Sequence, residues 1–320
     1  MLGFSVLGRG RRLTVRARAK VNLGLEVLGR RPDGYHELLT FLAAVDVADR
    51  VTLERTASEG IELACDAPGV PAGPENLAWR AAELLRHEAG VRSGLRIRIA
   101  KAIPVAAGLG GGSADAAAVL MGASRLWRVA LTPARVRALA AELGMDVPFF
   151  LGGGPALASG RGERLAAVAL PRPVPLVVVN PGFPLATRDV YGRLGSGDFT
   201  SGAAVRALVD TLAGGARVVA ARLVNGLERA VTERWPGLLE VKAALLGAGA
   251  LGAVMSGSGP TVVGVAASSA AARRVRAALA ARPWRVWVTR TVAGPALTVI
   301  SDRPAGSAKR SVASWGVAKR

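Results

Sequence analysis

Between Pro104 and Asp115 the chain reads Pro-Val-Ala-Ala-Gly-Leu-Gly-Gly-Gly-Ser-Ala-Asp, with glycine at 108, 110, 111 and 112, and an alanine-rich run follows at once. Glycine lets the backbone approach a ligand closely, and the start of a helix presents N–H donors that no preceding carbonyl takes up. Together they make a cradle for phosphate. A P-loop would end in Gly-Lys-Ser or Gly-Lys-Thr, which Gly112-Ser113-Ala114 does not supply, and a dinucleotide fingerprint would need glycine where Ser113 stands. The plain alternative is a flexible turn between a strand and a buried helix. Pro104 before the glycines, and Ser113 and Asp115 after them, favour an N-cap and first turn beside a nucleotide.

Phosphoryl transfer also needs a group that orients or deprotonates the acceptor hydroxyl. Asp146 is the first candidate, because it sits among Met145, Val147, Phe149 and Phe150, where an acid is left only if paired or used. An Asx turn or helix cap would account for it equally well. Lys20, in Ala19-Lys20-Val21-Asn22-Leu23, could keep Asp146 ionised and stabilise developing charge, although a lone lysine is ordinarily a solvated surface group. Two further stretches, Asp33-Gly34-Tyr35-His36-Glu37-Leu38 and Met255-Ser256-Gly257-Ser258-Gly259-Pro260-Thr261, read on their own as turns.

In combination these segments resemble the motifs of the GHMP kinases, which include galactokinase and the homoserine, mevalonate and phosphomevalonate kinases. The glycine stretch is similar to the family's Pro-x-x-x-Gly-Leu-x-Ser-Ser-Ala loop, with Ala114 where many members have a second serine. The motifs stand in the family's order from Ala19 to about Val265. The resemblance implies a two-domain α+β fold, with a ribosomal-protein-S5-like N-terminal domain and a ferredoxin-like split βαβ C-terminal domain. It also implies an ATP-dependent small-molecule kinase. Lys20 and Asp146 would be catalytic and Asn22 a neighbouring polar contact. Pro104, Gly108, Leu109, Gly110, Gly111, Gly112 and Ser113 would hold ATP. Mg²⁺ would bridge the phosphates, with no protein ligand assignable beyond Ser113. Within the family, Tyr35 and His36 imply a pocket for cytosine, with Thr187 and Tyr191 as its far wall. The acceptor would then be the 2-hydroxyl of cytidine diphosphate methylerythritol, in the non-mevalonate route to isoprenoids. The alternatives are a homoserine- or mevalonate-type kinase, or a basic RNA-binding protein without kinase activity.

Composition sets the frame for these residues. The 320 residues suit two domains, and 51% apolar with 20% charged is a globular balance. The net charge of +19 is almost wholly arginine, since lysine occurs only at 20, 101, 242, 309 and 319. That surplus favours polyanions, nucleotides or nucleic acid. The arginines are spread along the chain, without the aromatic-interleaved stripe of a nucleic-acid module, so no nucleic-acid partner is expected. One cysteine, Cys65, excludes an internal disulfide and fits a reducing, cytoplasmic location. The uncharged stretch 243–272 is broken by Ser256 to Pro260, so no membrane partner is expected. Oligomeric state is not readable.

The periodicity predicts strands over Leu13–Ala19 and Val21–Leu28, a pair over Val51–Arg55 and Ile61–Cys65, and a helix from Glu75 or Asn76 to Ala89. A strand over Leu95–Ala100 should lead into the glycine loop, and Thr132-Pro133 should cap a helix ending at Gly144. The domains are expected at 1–155 and 156–300, followed by a basic, disordered tail over 301–320. In the second domain, strands over Leu251–Met255, Val262–Val265 and Val286–Thr289 with a helix through Ala280 predict a split βαβ unit.

Overall fold

The computed structural model describes residues 12–303. Alternation of side chains builds the first strand: β1 (Arg12–Arg30) buries Leu13, Val15 and Ala17 and sends Arg12, Arg16 and Arg18 to the other face. It pairs antiparallel with β2 (His36–Arg55) across the Pro32-Asp33-Gly34 turn. One continuous strand therefore replaces the two expected over Leu13–Ala19 and Val21–Leu28. Its register shifts between Arg18 and Lys20 and again between Asn22 and Gly24. Such irregularities bend a strand and re-aim its side chains, and these two bracket Lys20 and Asn22.

Next come β3 (Ile61–Cys65), α1 (Leu77–Glu88), β4 (Leu95–Ala100), α2 (Gly111–Trp127), α3 (Pro133–Leu143) and α4 (Val147–Leu151). The expected pairing of Val51–Arg55 with Ile61–Cys65 is not made, because β4 lies between them, antiparallel to β2 and parallel to β3. A helix joins β3 to β4, and that crossover returns the chain parallel. The arrangement seats the fully buried Leu95 and Ile97 inside the sheet and leaves the more exposed β3 at the edge. The helices cover one face of this sheet, with Leu53, Ile97, Val119 and Leu139 in a shared core. Asn76 caps α1 and Thr132 caps α3 through side-chain oxygens. The small residues of α2 allow close packing: a Cβ on Gly122 would fall 2.2 Å from Leu53 Cδ1.

The second half contains β5 (Ala156–Gly160), β6 (Arg164–Ala167), β7 (Pro175–Asn180), α5 (Thr187–Tyr191), α6 (Ala203–Asp210), α7 (Gly215–Ala220), β8 (Val224–Asn225) and α8 (Glu228–Thr232). It closes with α9 (Gly237–Gly247), β9 (Gly252–Met255), β10 (Val262–Val265), α10 (Ser269–Ala278), β11 (Arg285–Val292) and β12 (Leu297–Arg303). The strand order β11-β7-β10-β9 is antiparallel throughout, and β7 separates β10 from β11 as a split βαβ unit requires.

The sheet does not break at the boundary expected at residue 155. On its far side β5 pairs with β2 over Leu38–Leu42, β11 meets β2 at Val45, and β12 flanks β1 over Arg12–Ala17. Ser301 to Arg303, expected in the disordered tail, belong to β12, where pairing satisfies the backbone groups of β1's outer edge. The remainder of that expected tail, 304–320, lies outside the described residues. Among the described residues no helix is long and apolar enough to cross a membrane, and 243–272 is divided among α9, β9, β10 and α10.

Candidate active site

Lys20 Nζ donates to Asn22 Oδ1 at 2.8 Å and lies 3.5 Å from Asp146 Oδ2. The lysine side chain is 5% exposed and the aspartate 39%, so a buried ammonium faces a carboxylate that opens to solvent. The Asn22 amide is held in turn, since its Nδ2 donates to Thr40 Oγ1 at 2.8 Å and that hydroxyl donates to Gly24 O at 2.7 Å. Asp146 immediately precedes α4, a short helix that tolerates Pro148 in its first turn. The edge-on Phe149–Phe150 pair, with centroids 5.2 Å apart, anchors α4 in the core.

The glycine loop closes over this group. Lys20 N–H donates to Leu109 O at 3.0 Å, and a Cβ on Gly110 would fall 2.9 Å from Phe150 Cζ and 3.0 Å from Lys20 Cγ. From the other side comes the turn between β9 and β10. Ser256 Oγ accepts from Asn22 N–H at 3.1 Å, and a Cβ on Gly108 would fall 2.7 Å from Ser256 O. Asn225 Nδ2 holds that turn through Met255 O and Gly257 O, both at 2.8 Å. Positive φ recurs at Ala106, Gly108 and Gly110, the conformation that turns successive amides toward one point. Gly110 is also the N-cap of α2, whose first intrahelical bond runs from Ala114 N–H to Gly110 O at 2.8 Å. The preceding N–H groups of Gly111, Gly112 and Ser113 are the unpaired donors of a helix start. Pro104 is half-buried at the loop's entrance.

Asp115, expected beside a nucleotide at the helix start, turns inward. It stands one turn beyond Gly111 on the covered face of α2, where its carboxylate is 2.9 Å from Lys101 Nζ and almost wholly buried.

A second cluster stands beside the group of Lys20 and Asp146. His36 stands 5.3 Å from the Tyr191 ring and 6.1 Å from Phe199. Burial, and then the nearby Arg30 charge, hold its imidazole below the ordinary pKa, which favours the neutral ring. Burial, and then the nearby Asp146 charge, raise the Tyr191 phenol. Thr187 Oγ1 lies 2.9 Å from Ser258 Oγ in the β9–β10 turn. Tyr35 is 52% exposed beneath the Arg161 guanidinium, 5.0 Å from its ring centroid.

The structure thus brings together Lys20, Asn22, Asp146 and the loop from Pro104 to Ser113, with Thr187 on the β9–β10 turn, Tyr191 near Asp146, His36 beside Tyr191 and Tyr35 exposed under Arg161. Sequence reasoning passed over Thr40, Asn225, Phe199 and Arg161. They carry no motif of their own, and only pairing between distant strands and helices brings them to these groups. Among the described residues no group of three or more His, Cys, Asp or Glu side chains is placed to hold a metal ion.

The family model for the GHMP kinases N terminal domain matches residues 76–154, and that for GHMP kinases C terminal matches 202–285. The chain is 48% identical over 280 residues to the 4-diphosphocytidyl-2-C-methyl-D-erythritol kinase of Pelotomaculum thermopropionicum, spanning 87% of this chain and 98% of that one. It is 44% identical to the kinase of the same name from Geobacter sulfurreducens, over 88% of this chain and 100% of the relative. A crystal structure of 4-(cytidine 5'-diphospho)-2C-methyl-D-erythritol kinase superimposes with a TM-score of 0.77 at 42% identity, covering 88% of this chain and 100% of that one. With site geometry, both domain models and these relatives in agreement, the chain belongs to the GHMP kinases, in the group of the 4-diphosphocytidyl-2-C-methyl-D-erythritol kinases.

Proposed function

We propose that the cleft moves the γ-phosphoryl group of ATP to the 2-hydroxyl of cytidine diphosphate methylerythritol, the acceptor in the relatives' names. The observation that carries this reading is Lys20, whose Nζ lies 3.5 Å from Asp146 Oδ2 and whose Cγ packs against Gly110 of the phosphate loop. Asp146 takes the proton of the acceptor hydroxyl, and the Lys20 ammonium stabilises charge developing on the reacting oxygens. Asn22 fixes the lysine. The triphosphate lies against the N–H groups of Gly110 to Ser113, with Pro104, Gly108 and Leu109 shaping the loop. His36 and Tyr191 form the wall against which cytosine stacks, Tyr35 covers it from the rim and Thr187 supplies a hydroxyl.

Mg²⁺, when bound with ATP, neutralises phosphate charge. Ser113 is the one protein group of this loop with an oxygen suited to it, and an ion held largely by phosphates and water needs no carboxylate cluster. A small-molecule acceptor in the cytoplasm fits the single half-buried thiol of Cys65, and the reading requires neither nucleic acid nor membrane.

The test is ADP release with ATP, Mg²⁺ and the cytidyl acceptor, run beside homoserine, mevalonate and an Asp146→Asn control. Turnover confined to the cytidyl acceptor, falling about 10²-fold or more in the control, is expected. Turnover with homoserine or mevalonate instead would overturn the cytosine pocket, and steeply salt-dependent RNA binding without turnover would overturn the kinase reading.

A further inference from the structure

Beneath the phosphate loop lie three charged side chains that the proposed chemistry does not use. Lys101 Nζ sits 2.5 Å from Asp49 Oδ2 and 2.9 Å from Asp115 Oδ2, and all three side chains are at least nine-tenths buried. Burying an ammonium and two carboxylates is costly, and an apolar cluster of like volume usually stabilises a fold as well or better. The cluster also leaves Asp115 Oδ1 buried without a hydrogen-bond partner. Stability alone does not account for such an arrangement.

Its connections are to the two ends of the loop. At the entrance, Asp49 Oδ1 accepts from Ala102 N–H at 2.7 Å and from Ile103 N–H at 2.8 Å, while Lys101 N–H donates to Asp66 Oδ1 at 2.8 Å. At the exit, Lys101 reaches Asp115 on α2 and lies directly under the helix's first turn: a Cβ on Gly111 would fall 3.1 Å from Nζ. One peptide unit therefore separates Gly110, which packs on Lys20, from Gly111, which packs on Lys101.

We infer that Asp49, Lys101 and Asp115 form a buried clamp that holds both ends of the phosphate loop in register, acting as positioning residues for the nucleoside triphosphate. The inference rests on the kinase reading above and adds three residues to it. None of the three reaches the acceptor side of the cleft; they act through the backbone of 102–103 and the first turn of α2. The two carboxylates sustain the ammonium more than they sustain each other. Burial opposes the Lys101 ammonium, but the two carboxylates outweigh it and raise its pKa. Burial pushes Asp115 up to about 7, with Lys101 opposing and Asp49 adding to the shift.

The experiment compares Asp115→Ala, Asp115→Asn and Lys101→Met with the wild-type enzyme. It measures kcat, KM for each substrate, melting temperature, and the Kd of a non-hydrolysable ATP analogue. In Asp115→Ala and Lys101→Met the KM for ATP and the analogue Kd are expected to rise about tenfold or more, with acceptor KM changed by no more than about twofold, because a displaced loop misplaces the phosphates. Asp115→Asn still offers Lys101 an acceptor oxygen and is expected to recover most of the ATP affinity. A folded Asp115→Ala enzyme with ATP KM and analogue Kd within about twofold of wild type would overturn the clamp while leaving the kinase reading intact. A wild-type protein that binds no analogue would instead overturn the kinase reading. Hydrogen exchange on the nucleotide-free wild-type protein decides the matter should the variants not fold. The amides of Ala102 and Ile103 are expected to be protected before nucleotide is added, and exchange as fast as at exposed Val105 would overturn the clamp.

Discussion

Two lysines divide the work at the phosphate loop, and burial alone does not distinguish them. Lys20 faces a partly exposed aspartate and an asparagine; Lys101 is enclosed by two aspartates. Only the first has a partner open to substrate. Lys20 was legible from its motif, whereas Lys101 was one of five lysines with no motif of its own and Asp115 looked like a first-turn acid. Their meeting depends on α2 lying across the end of β4, a packing relation that local spacing does not encode. On the acceptor side, the His36 imidazole is held below its ordinary 6.5, chiefly by burial. A lowered value keeps the ring neutral above about pH 6.5 and charges it only at lower pH. Acceptor KM is therefore expected to stay level from about pH 8 to about pH 6.5 and to rise below that, while a His36→Gln enzyme loses this limb. A rise on the alkaline side, or the same acid limb in His36→Gln, would exclude the neutral ring as the contact.

The glycine loop depends as much on the turn that backs it as on its own glycines. Gly108 has φ +73° and no room for a side chain, since a Cβ would fall 2.7 Å from Ser256 O and 2.9 Å from Gly259 O. Both atoms are backbone and cannot swing away. Gly108→Ala is expected to cost about 1–3 kcal/mol of stability and to weaken ATP binding, measured by denaturant melts and ATP titration. A neutral result would mean that the β9–β10 turn is free to move. Loop, α1, α3 and β4 were legible because caps, proline and strict alternation mark them locally. The strands β5 and β12 were not: Ala156-Leu157-Ala158-Ser159-Gly160 is made of small residues with weak alternation, and Ser301 to Arg303 read as polar tail. Each becomes a strand because a partner edge from another part of the chain is waiting for it.

Over the whole molecule, the family's two domain models describe sequence segments more faithfully than separable bodies. Three later strands, β5, β11 and β12, complete the sheet that β1 and β2 begin. A fragment ending at Gly154 lacks all three and exposes the long edges of both strands. It is expected to aggregate or remain unfolded, whereas a fragment ending at residue 303 should melt cooperatively, a contrast that circular dichroism and size-exclusion chromatography would reveal. A monomeric, cooperatively melting 1–154 fragment would contradict the shared sheet. The join of β12 to β1 also has a consequence in time. Proteins are made from the N-terminus, so β1 leaves the ribosome well before β12, and its outer edge finds that partner only after every strand and helix between them has emerged. Until then the nascent enzyme carries an unclosed strand edge, and its sheet closes only after the last motif has been translated.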